Sequence, residues 1–413
     1  MTIFVSIAAY RDPELNPTLA DCIAKARAPQ ALHFGIVWQH GPDEPAPIAE
    51  GAGRLRVADV PWQESRGACW ARAEAMALYD GEDFYLQLDS HHRFAEGWDA
   101  ILIEQARATG AAKPLLTTYA TAYDPALPPP AGHPSAMRFD RFTPEGIPLF
   151  QAVPIPVGRP QRARFVSGHL LFAPGRFVAD VPYDPELYFI GEEISLAVRA
   201  FTHGYDLFHP GAHVVWHEYS RKLRTKHWDD HRTENGVATA WHTRDAASLA
   251  KVRQLLTAPE TGPFGCGTAR GFAQYEAYAG ITFRRLFASR DARRGAEPPP
   301  PIDAAPGRDW QVRLAIGHDR FAPAALDSPL FWYVGFHDAE GVEIARADAD
   351  CGEMSRALAA KSGPIVIERR FVSPRAPARW TIWPADRKGR WLDRIEGAIE
   401  PPADPAMPIA VTL

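Results

Sequence analysis

The stretch FYLQLDSHHRF, residues 84–94, sets an apolar, strand-like run against an acid, a serine, two histidines and an arginine. Alternate residues of extended chain share a face, so Asp89 and His91 are expected to point the same way. One carboxylate oxygen and one imidazole nitrogen suit Mn²⁺ or a similar divalent cation, whereas Mg²⁺ prefers oxygen donors alone. Such an ion bridges diphosphate oxygens and neutralises charge gathering on a leaving group. Standing alone, the triplet equally describes a polar loop in which Asp89 caps the following turn.

A third ligand has to come from elsewhere in the chain. HPGAHVVWHEY offers His209, His213 and His217. The order is not the H-E-x-x-H of a zinc protease, because Glu218 follows the last histidine. His217 is the candidate, since the apolar run before it can return beside the sheet. His209 and His213 read as core or surface histidines. Glu192 and Glu193 open a helix-like segment, where the helix dipole favours carboxylates. They could equally face a sugar or an incoming hydroxyl. In ESRGACWAR, Arg66 and Arg72 flank a glycine that permits close backbone approach. Arginine there suits a diphosphate and equally suits a solvated helix start.

The elements that must position these groups alternate between strand and helix. Strands are expected at TIFVSIAAY, LHFGIVWQ, RLRVADV, FYLQL and KPLLTTY. Helices are expected from Pro13 to about Ala28, from Ala68 to Tyr79 and from Trp98 to Ala108. This order implies an α/β fold with a mostly parallel sheet covered by helices. Ligands of such sheets bind beyond the carboxyl ends of the strands, where residues 89–93 lie. Residues 124–160 are proline-rich and read as a long irregular excursion, a lid or an acceptor-facing loop. A turn and helix follow over YFIGEEISLAVRAFTHGYD, then two short strands over DLFHPGAHVVWHEYSR, and a helical tract from about Asp245 to Leu256.

Near residue 290 the texture changes. Residues 291–307 carry charge, four consecutive prolines and small residues, as a linker does. Residues 308–413 then show strand-like runs separated by turn signals such as DAEG and DRKG, which implies a small all-β, sandwich-like domain. Trp310, Trp332, Trp380, Trp383 and Trp391 in this part read as core rather than as a sugar platform.

The chain has 413 residues, 46% of them apolar, enough for two domains. The net charge of −5 gives no electrostatic reason to expect nucleic acid. Four scattered cysteines without a CxxC pair fit reduced thiols. The N-terminus lacks a basic leader, and no stretch approaches the ~20 apolar residues of a membrane span. The expectation is a cytoplasmic protein.

Read together and in order, FVSIAAYRDPEL, ESRGACWARAEA, YLQLDSHHRFAEGWD, VSGHLLFAPG, VPYDPELYFIGEEISLAVRAFTHGYDLFHP and WHEYSR resemble the Skp1 polypeptide N-acetylglucosaminyltransferase family. They are more distantly similar to the polypeptide N-acetylgalactosaminyltransferases. The resemblance covers roughly residues 1–290, as one catalytic domain. It implies a GT-A fold, a UDP-sugar donor, a Mn²⁺-type metal and retention at the anomeric carbon. It matches Asp89 and His91 to the metal motif and His217 to a later metal histidine. Arg66 and Arg72 match arginines near the nucleotide. Ser6, Ala8, Tyr10 and Arg11 match the first-strand end that receives uridine, with Asp89 and Ser90 beside it. Gly168 and His169 match a turn under the donor, where His169 replaces a small or apolar residue. Glu192 and Glu193 match an acidic pair near the sugar.

The expected function is transfer of a sugar, GlcNAc by the resemblance, from a UDP-sugar to a hydroxyl of a protein or glycan. The alternatives are a metal-dependent hydrolase and a non-enzymatic sugar-binding protein.

Overall fold

A computed structural model of the chain describes residues 1–220, 224–301, 308–327, 329–359, 363–373, 375–386, 388–400 and 407–412. Residues 302–307 of the expected linker and Arg221 of the WHEYSR motif lie outside them. The chain divides into two compact units, Met1–Pro301 and Ile302–Leu413. Among the described residues, no helix is long and apolar enough to cross a membrane.

The first unit is a mixed α/β structure. Its strands are β1 (Ile3–Tyr10), β2 (Leu32–His40), β3 (Arg54–Pro61), β4 (Phe84–Leu88), β5 (His92–Phe94), β6 (Pro114–Thr117), β7 (Thr121–Ala122), β8 (Ser135–Phe142), β9 (Pro148–Pro154), β10 (Gln161–Arg162), β11 (Leu170–Pro174), β12 (Asp206–His209), β13 (Val215–His217), β14 (Ile281–Thr282) and β15 (Phe287–Ala288). Helices α1 (Leu15–Ala24), α2 (Ala68–Met76), α3 (Trp98–Ala108), α4 (Phe177–Asp180), α5 (Glu192–Thr202), α6 (His227–Asp230), α7 (Trp241–Thr257) and α8 (Phe272–Ala279) pack around them.

Eight strands form the main sheet in the order β10-β12-β6-β11-β4-β1-β2-β3. The half from β3 to β4 is parallel, while β11 runs antiparallel to both of its neighbours. β1 and β4 are apolar almost throughout because both sheet faces are covered. Phe4 and Tyr85 enter one core, and Ile3, Val5, Ile7, Leu86 and Leu88 enter the other. Edge strand β3 instead alternates between exposed and half-buried positions. A three-stranded sheet, β5-β13-β7, lies just past the end of β4 and sets His217 opposite His92.

The proline-rich excursion differs from expectation. Residues 135–154 form a β-hairpin, β8 against β9, with Pro148 and Pro154 paired at its two ends. At a ribbon end the missing proline N–H removes no interior ladder bond. Met137, Phe139 and Phe150 are buried in the core shared with α5 and α8. This part of the excursion is therefore packed structure and not a loose lid.

The second unit has two sheets enclosing one apolar cluster. Strands Ile365–Ser373, Arg308–Ile316 and Ile409–Thr412 make one. Glu343–Arg346, Pro329–His337, Arg379–Asp386 and Ile395–Ala398 make the other, joined by Ala349–Asp350. The unit is not purely β, since helices cover Pro323–Asp327 and Cys351–Ala359. Asp350 Oδ1 accepts the Glu353 N–H at 2.8 Å at the start of the second helix, as an N-terminal cap does. Met354, Ala357 and Leu358 then face the core at helical spacing. Of the tryptophans expected inside, Trp310, Trp332 and Trp380 are buried, but Trp383 and Trp391 are 36% and 37% exposed.

Candidate metal centre and its surroundings

Strand β4 delivers Asp89 to the carboxyl edge of the main sheet, and the turn to β5 brings His91 alongside. β13 returns His217 through its pairing with β5. Asp89 Oδ2 lies 3.2 Å from His217 Nε2 and 3.6 Å from His91 Nε2. One ligand atom from each of the three residues falls within 4.8 Å of the others. The expected trio therefore converges, although its last member lies 128 residues from its first.

The surroundings tune each member. His91 Nδ1 lies 2.7 Å from Asp12 Oδ2, and as the N–H donor it leaves Nε2 for a cation. Ser90 Oγ–H donates to the same carboxylate oxygen at 2.6 Å, so Ser90 braces Asp12. Burial pushes the Asp12 carboxyl up, but hydrogen bonds from His91 and Ser90 and the charges of His91 and Arg224 hold it below its usual value. Burial likewise opposes ionisation of Asp89. The Arg72 charge and hydrogen bonds from His217 and His91 outweigh that and hold Asp89 well below the carboxylate range. Burial pushes His217 well below the ordinary imidazole value, aided by neighbouring His169, so its ring is neutral. For His91, burial lowers the value, but bonding to Asp12 and Asp89 raises it overall.

An ionised carboxylate and two imidazoles are a donor set that fits Mn²⁺ or a similar ion. Among the described residues, buried His217 Nδ1 has no hydrogen-bond partner. Arg224 packs against both nitrogens of His91 and lies 3.3 Å from Asp12. Asp12→Asn should weaken Mn²⁺ binding about 10- to 100-fold, as loss of an outer partner of a metal histidine does. Calorimetric titration of Mn²⁺ into the variant measures this, and unchanged affinity would refute the bracing role.

Arg72, expected near the nucleotide, bonds to protein groups at the Asp89 cluster. It is buried on α2, beneath Asp89. One guanidinium nitrogen donates to Asp89 Oδ1 at 2.6 Å, and the other donates to Tyr183 at 3.1 Å and to Glu192. Both ends are committed to carboxylates, and these keep the guanidinium charged against the pull of burial. Glu192, at the first turn of α5, also accepts from the Cys69 thiol at 3.3 Å. Glu193 accepts the Tyr119 O–H at 2.7 Å and the Gly168 N–H at 2.8 Å. Its burial raises the carboxyl to about 7. Gly191, with φ 94°, lets the chain enter α5 in the left-handed region. Gly168 packs close to the Glu192 carboxylate, which a Cβ there would force to shift.

His169 is buried. Its Nε2 accepts the Ala120 N–H at 3.0 Å, so Nδ1 carries the hydrogen and faces Ser167 Oγ at 2.8 Å. Its ring lies 4.4 Å from that of His217.

The first-strand residues separate into two groups. Ser6 is 1% exposed and sits mid-strand between Gly35 and Gln87, and Ala8 packs against α2 with Val37 and Ala71. Neither is at the strand end, because β1 runs on to Tyr10. Tyr10 and Arg11 are at that end. Tyr10 O–H and the Arg11 guanidinium both donate to Asp230, at 3.0 and 2.9 Å. The Tyr10 ring stacks on His227 at 4.0 Å. Arg66 is exposed over Trp70 and makes no described contact with the Asp89 cluster.

Sequence reasoning missed Asp12 and Arg224. Asp12 stands one residue past the strand end already singled out, and an acid there was a usable signal. Arg224 follows the WHEYSR motif and carries no local mark of its contact.

The profile of the Glycosyltransferase (GlcNAc) family matches residues 2–53 and 51–285. The chain belongs to that family. No curated protein matches this glycosyltransferase. Among solved structures, Staphylococcus aureus TarS 1–349 is 12% identical over 53% of this chain and 60% of its own, with a TM-score of 0.37. The same fragment in complex with UDP-GlcNAc is also 12% identical, over 53% and 59%, with a TM-score of 0.37. GalNAc-T7 with UDP, GalNAc and Mn²⁺ is 14% identical over 95% of this chain and 68% of its own, at 0.44. The glycosyltransferase thus spans about three fifths of the TarS fragment. Scores of this size leave its substrate and mechanism to the family and to the site geometry.

Proposed function

We propose that the chain is a metal-dependent, retaining glycosyltransferase with a GT-A-type catalytic unit, moving GlcNAc from UDP-GlcNAc to a hydroxyl of a protein or glycan. One observation carries the reading. In a chain of this family, Asp89, His91 and His217 bring a carboxylate and two imidazoles within 4.8 Å at the carboxyl edge of the sheet.

These three residues would hold Mn²⁺ or another divalent cation, which when bound neutralises charge on the departing diphosphate. Asp12 holds the His91 ring so that Nε2 faces the ion. Arg224, against that edge, yields it and offers its charge to the diphosphate. The uridine end lies by Tyr10 and Arg11.

Glu192 is held by Arg72, and Glu193 by Tyr119 and the Gly168 N–H. Neither is left free as a nucleophile, which supports transfer on a single face. The bond from the anomeric carbon to the diphosphate oxygen breaks, and the acceptor oxygen bonds to that carbon from the same side. The acceptor proton passes to the leaving diphosphate oxygen. Arg72 and Glu192 are positioning residues here, because Arg72 acts on Asp89 and Glu192 acts through Arg72, whereas Glu193 holds the Gly168 backbone.

The test is a thermal melt with UDP, Mn²⁺, both and neither, alongside UDP release from UDP-GlcNAc. A ligand that binds only the folded chain raises Tm. The expected result is a rise with UDP and Mn²⁺ together that EDTA removes, and UDP release that stops with EDTA. Equal response to UDP with and without metal would sink the reading.

A further inference from the structure

The outer face of the larger sheet in the second unit carries two indole rings that its described residues leave partly exposed, at 36% and 37%. Along Arg379–Asp386, Trp380 and Ile382 enter the core, and Trp383 has the opposite parity. Trp391 returns beside Ala385 after the turn. The two rings lie 4.6 Å apart at 37°, and Phe331 meets Trp391 edge-on at 5.4 Å. Trp383 Nε1–H donates to the Leu392 carbonyl at 2.7 Å, which pins ring and loop together. On one side the strip is closed, because Arg346 covers Tyr333, the cross-strand neighbour of Trp383, at 4.6 Å.

We propose that Trp383 and Trp391 form a stacking platform for a neutral oligosaccharide. The face of an indole is electron-rich and attracts the polarised C–H groups on the face of a pyranose ring. Both rings are held before any ligand arrives, so little side-chain freedom is lost on binding. The rim is polar and of mixed sign. Arg390 pairs with Asp386 at 2.7 Å, and Glu396 pairs with Arg394 at 3.1 Å and Arg379 at 3.5 Å. Such a rim supplies donors and acceptors for hydroxyls without a net field that selects an ion.

Size argues against a protein partner or a second copy. Among the described residues of this unit, the exposed large apolar side chains are Val342, Trp383, Trp391 and Met407. Two adjacent indole faces fall far short of the roughly 800 Å² per partner of a stable protein contact. They match one or two sugar rings. The inference goes beyond the transfer reaction and does not need it.

The experiment uses the full chain, with chitotetraose (a β-1,4-linked GlcNAc tetramer) and cellotetraose as probes. Tryptophan fluorescence and saturation-transfer NMR read binding, and sedimentation reads self-association. Saturable binding of at least one tetraose is expected. It should weaken about tenfold or more in Trp383→Ala/Trp391→Ala, the scale of a lost aromatic stack. Phenylalanine at both positions should retain most of it. UDP release from UDP-GlcNAc without acceptor should not change in either variant. If the double alanine variant melts early, Trp391→Ala alone carries the test. Absence of tetraose binding at millimolar concentration overturns the platform. So does binding that survives loss of both rings, or a dimer that dissociates when they are removed. If the native chain releases no UDP but tetraose binding still follows the two tryptophans, the platform stands and the transferase reading falls.

Discussion

Asp89→Ala should lose the joint effect of UDP and Mn²⁺ on Tm and reduce transfer about 10³-fold or more. The estimate follows from the several kcal/mol a metal contributes to stabilising charge in the transition state. Asp89 is the only carboxylate in the trio, and its Oδ2 is the atom toward which both imidazoles turn. Without it, two imidazoles and a nearby guanidinium offer a cation almost no attraction. Asp89→Asn is the companion variant, since it keeps the side-chain shape and can still hydrogen-bond Arg72 and His217. It should fold like the native chain and lose metal binding nearly as completely. Persistence of the Mn²⁺-dependent melt shift in both variants would mean that the ion, if any, sits elsewhere.

Arg72→Met should destabilise the first unit by about 3–5 kcal/mol, the cost of stripping one partner from a buried ion network. Arg72 is 5% exposed and is the cation shared by Asp89 and Glu192. Methionine fills much of the same volume but leaves the buried Glu192 and the half-buried Asp89 carboxylates without the cation they share. Urea unfolding followed at the tryptophans measures the loss. Glu192→Gln removes one of those charges, so the double variant should recover at least about 1 kcal/mol relative to additivity. A stability for Arg72→Met within about 0.5 kcal/mol of the native chain would show that the network contributes nothing net.

Much of the first unit was legible because its elements write themselves locally. Apolar runs at 2–10, 32–39 and 84–88 become central strands, since a strand covered on both faces needs apolar residues on both. The helix at Trp98–Ala108 lies where its periodicity puts it. The hairpin at 135–154 was hidden because its prolines, read one at a time, signal irregular chain, whereas at ribbon ends they are compatible with pairing. The helix at Cys351–Ala359 was hidden among strands, although Asp350 as cap and the Met354, Ala357, Leu358 spacing announced it. Trp383 was misread by grouping tryptophans together. Its parity against Trp380 and Ile382 along one strand already placed it on the other face.

By itself the sequence determined that Asp89 and His91 stand together at a strand end, that carboxylates open the helix at Glu192, and that the family is one of glycosyltransferases. Those are matters of short-range backbone periodicity and of motif order. Tertiary structure alone decided that His217 arrives beside Asp89, through the pairing of β13 with β5. It also made Arg72 the bridge between Asp89 and Glu192, and set Asp12 against His91. The physical reason is range. Dihedral preferences carry information over a few residues, whereas a buried charge takes whichever counter-charge the packed sheet and helices bring to it.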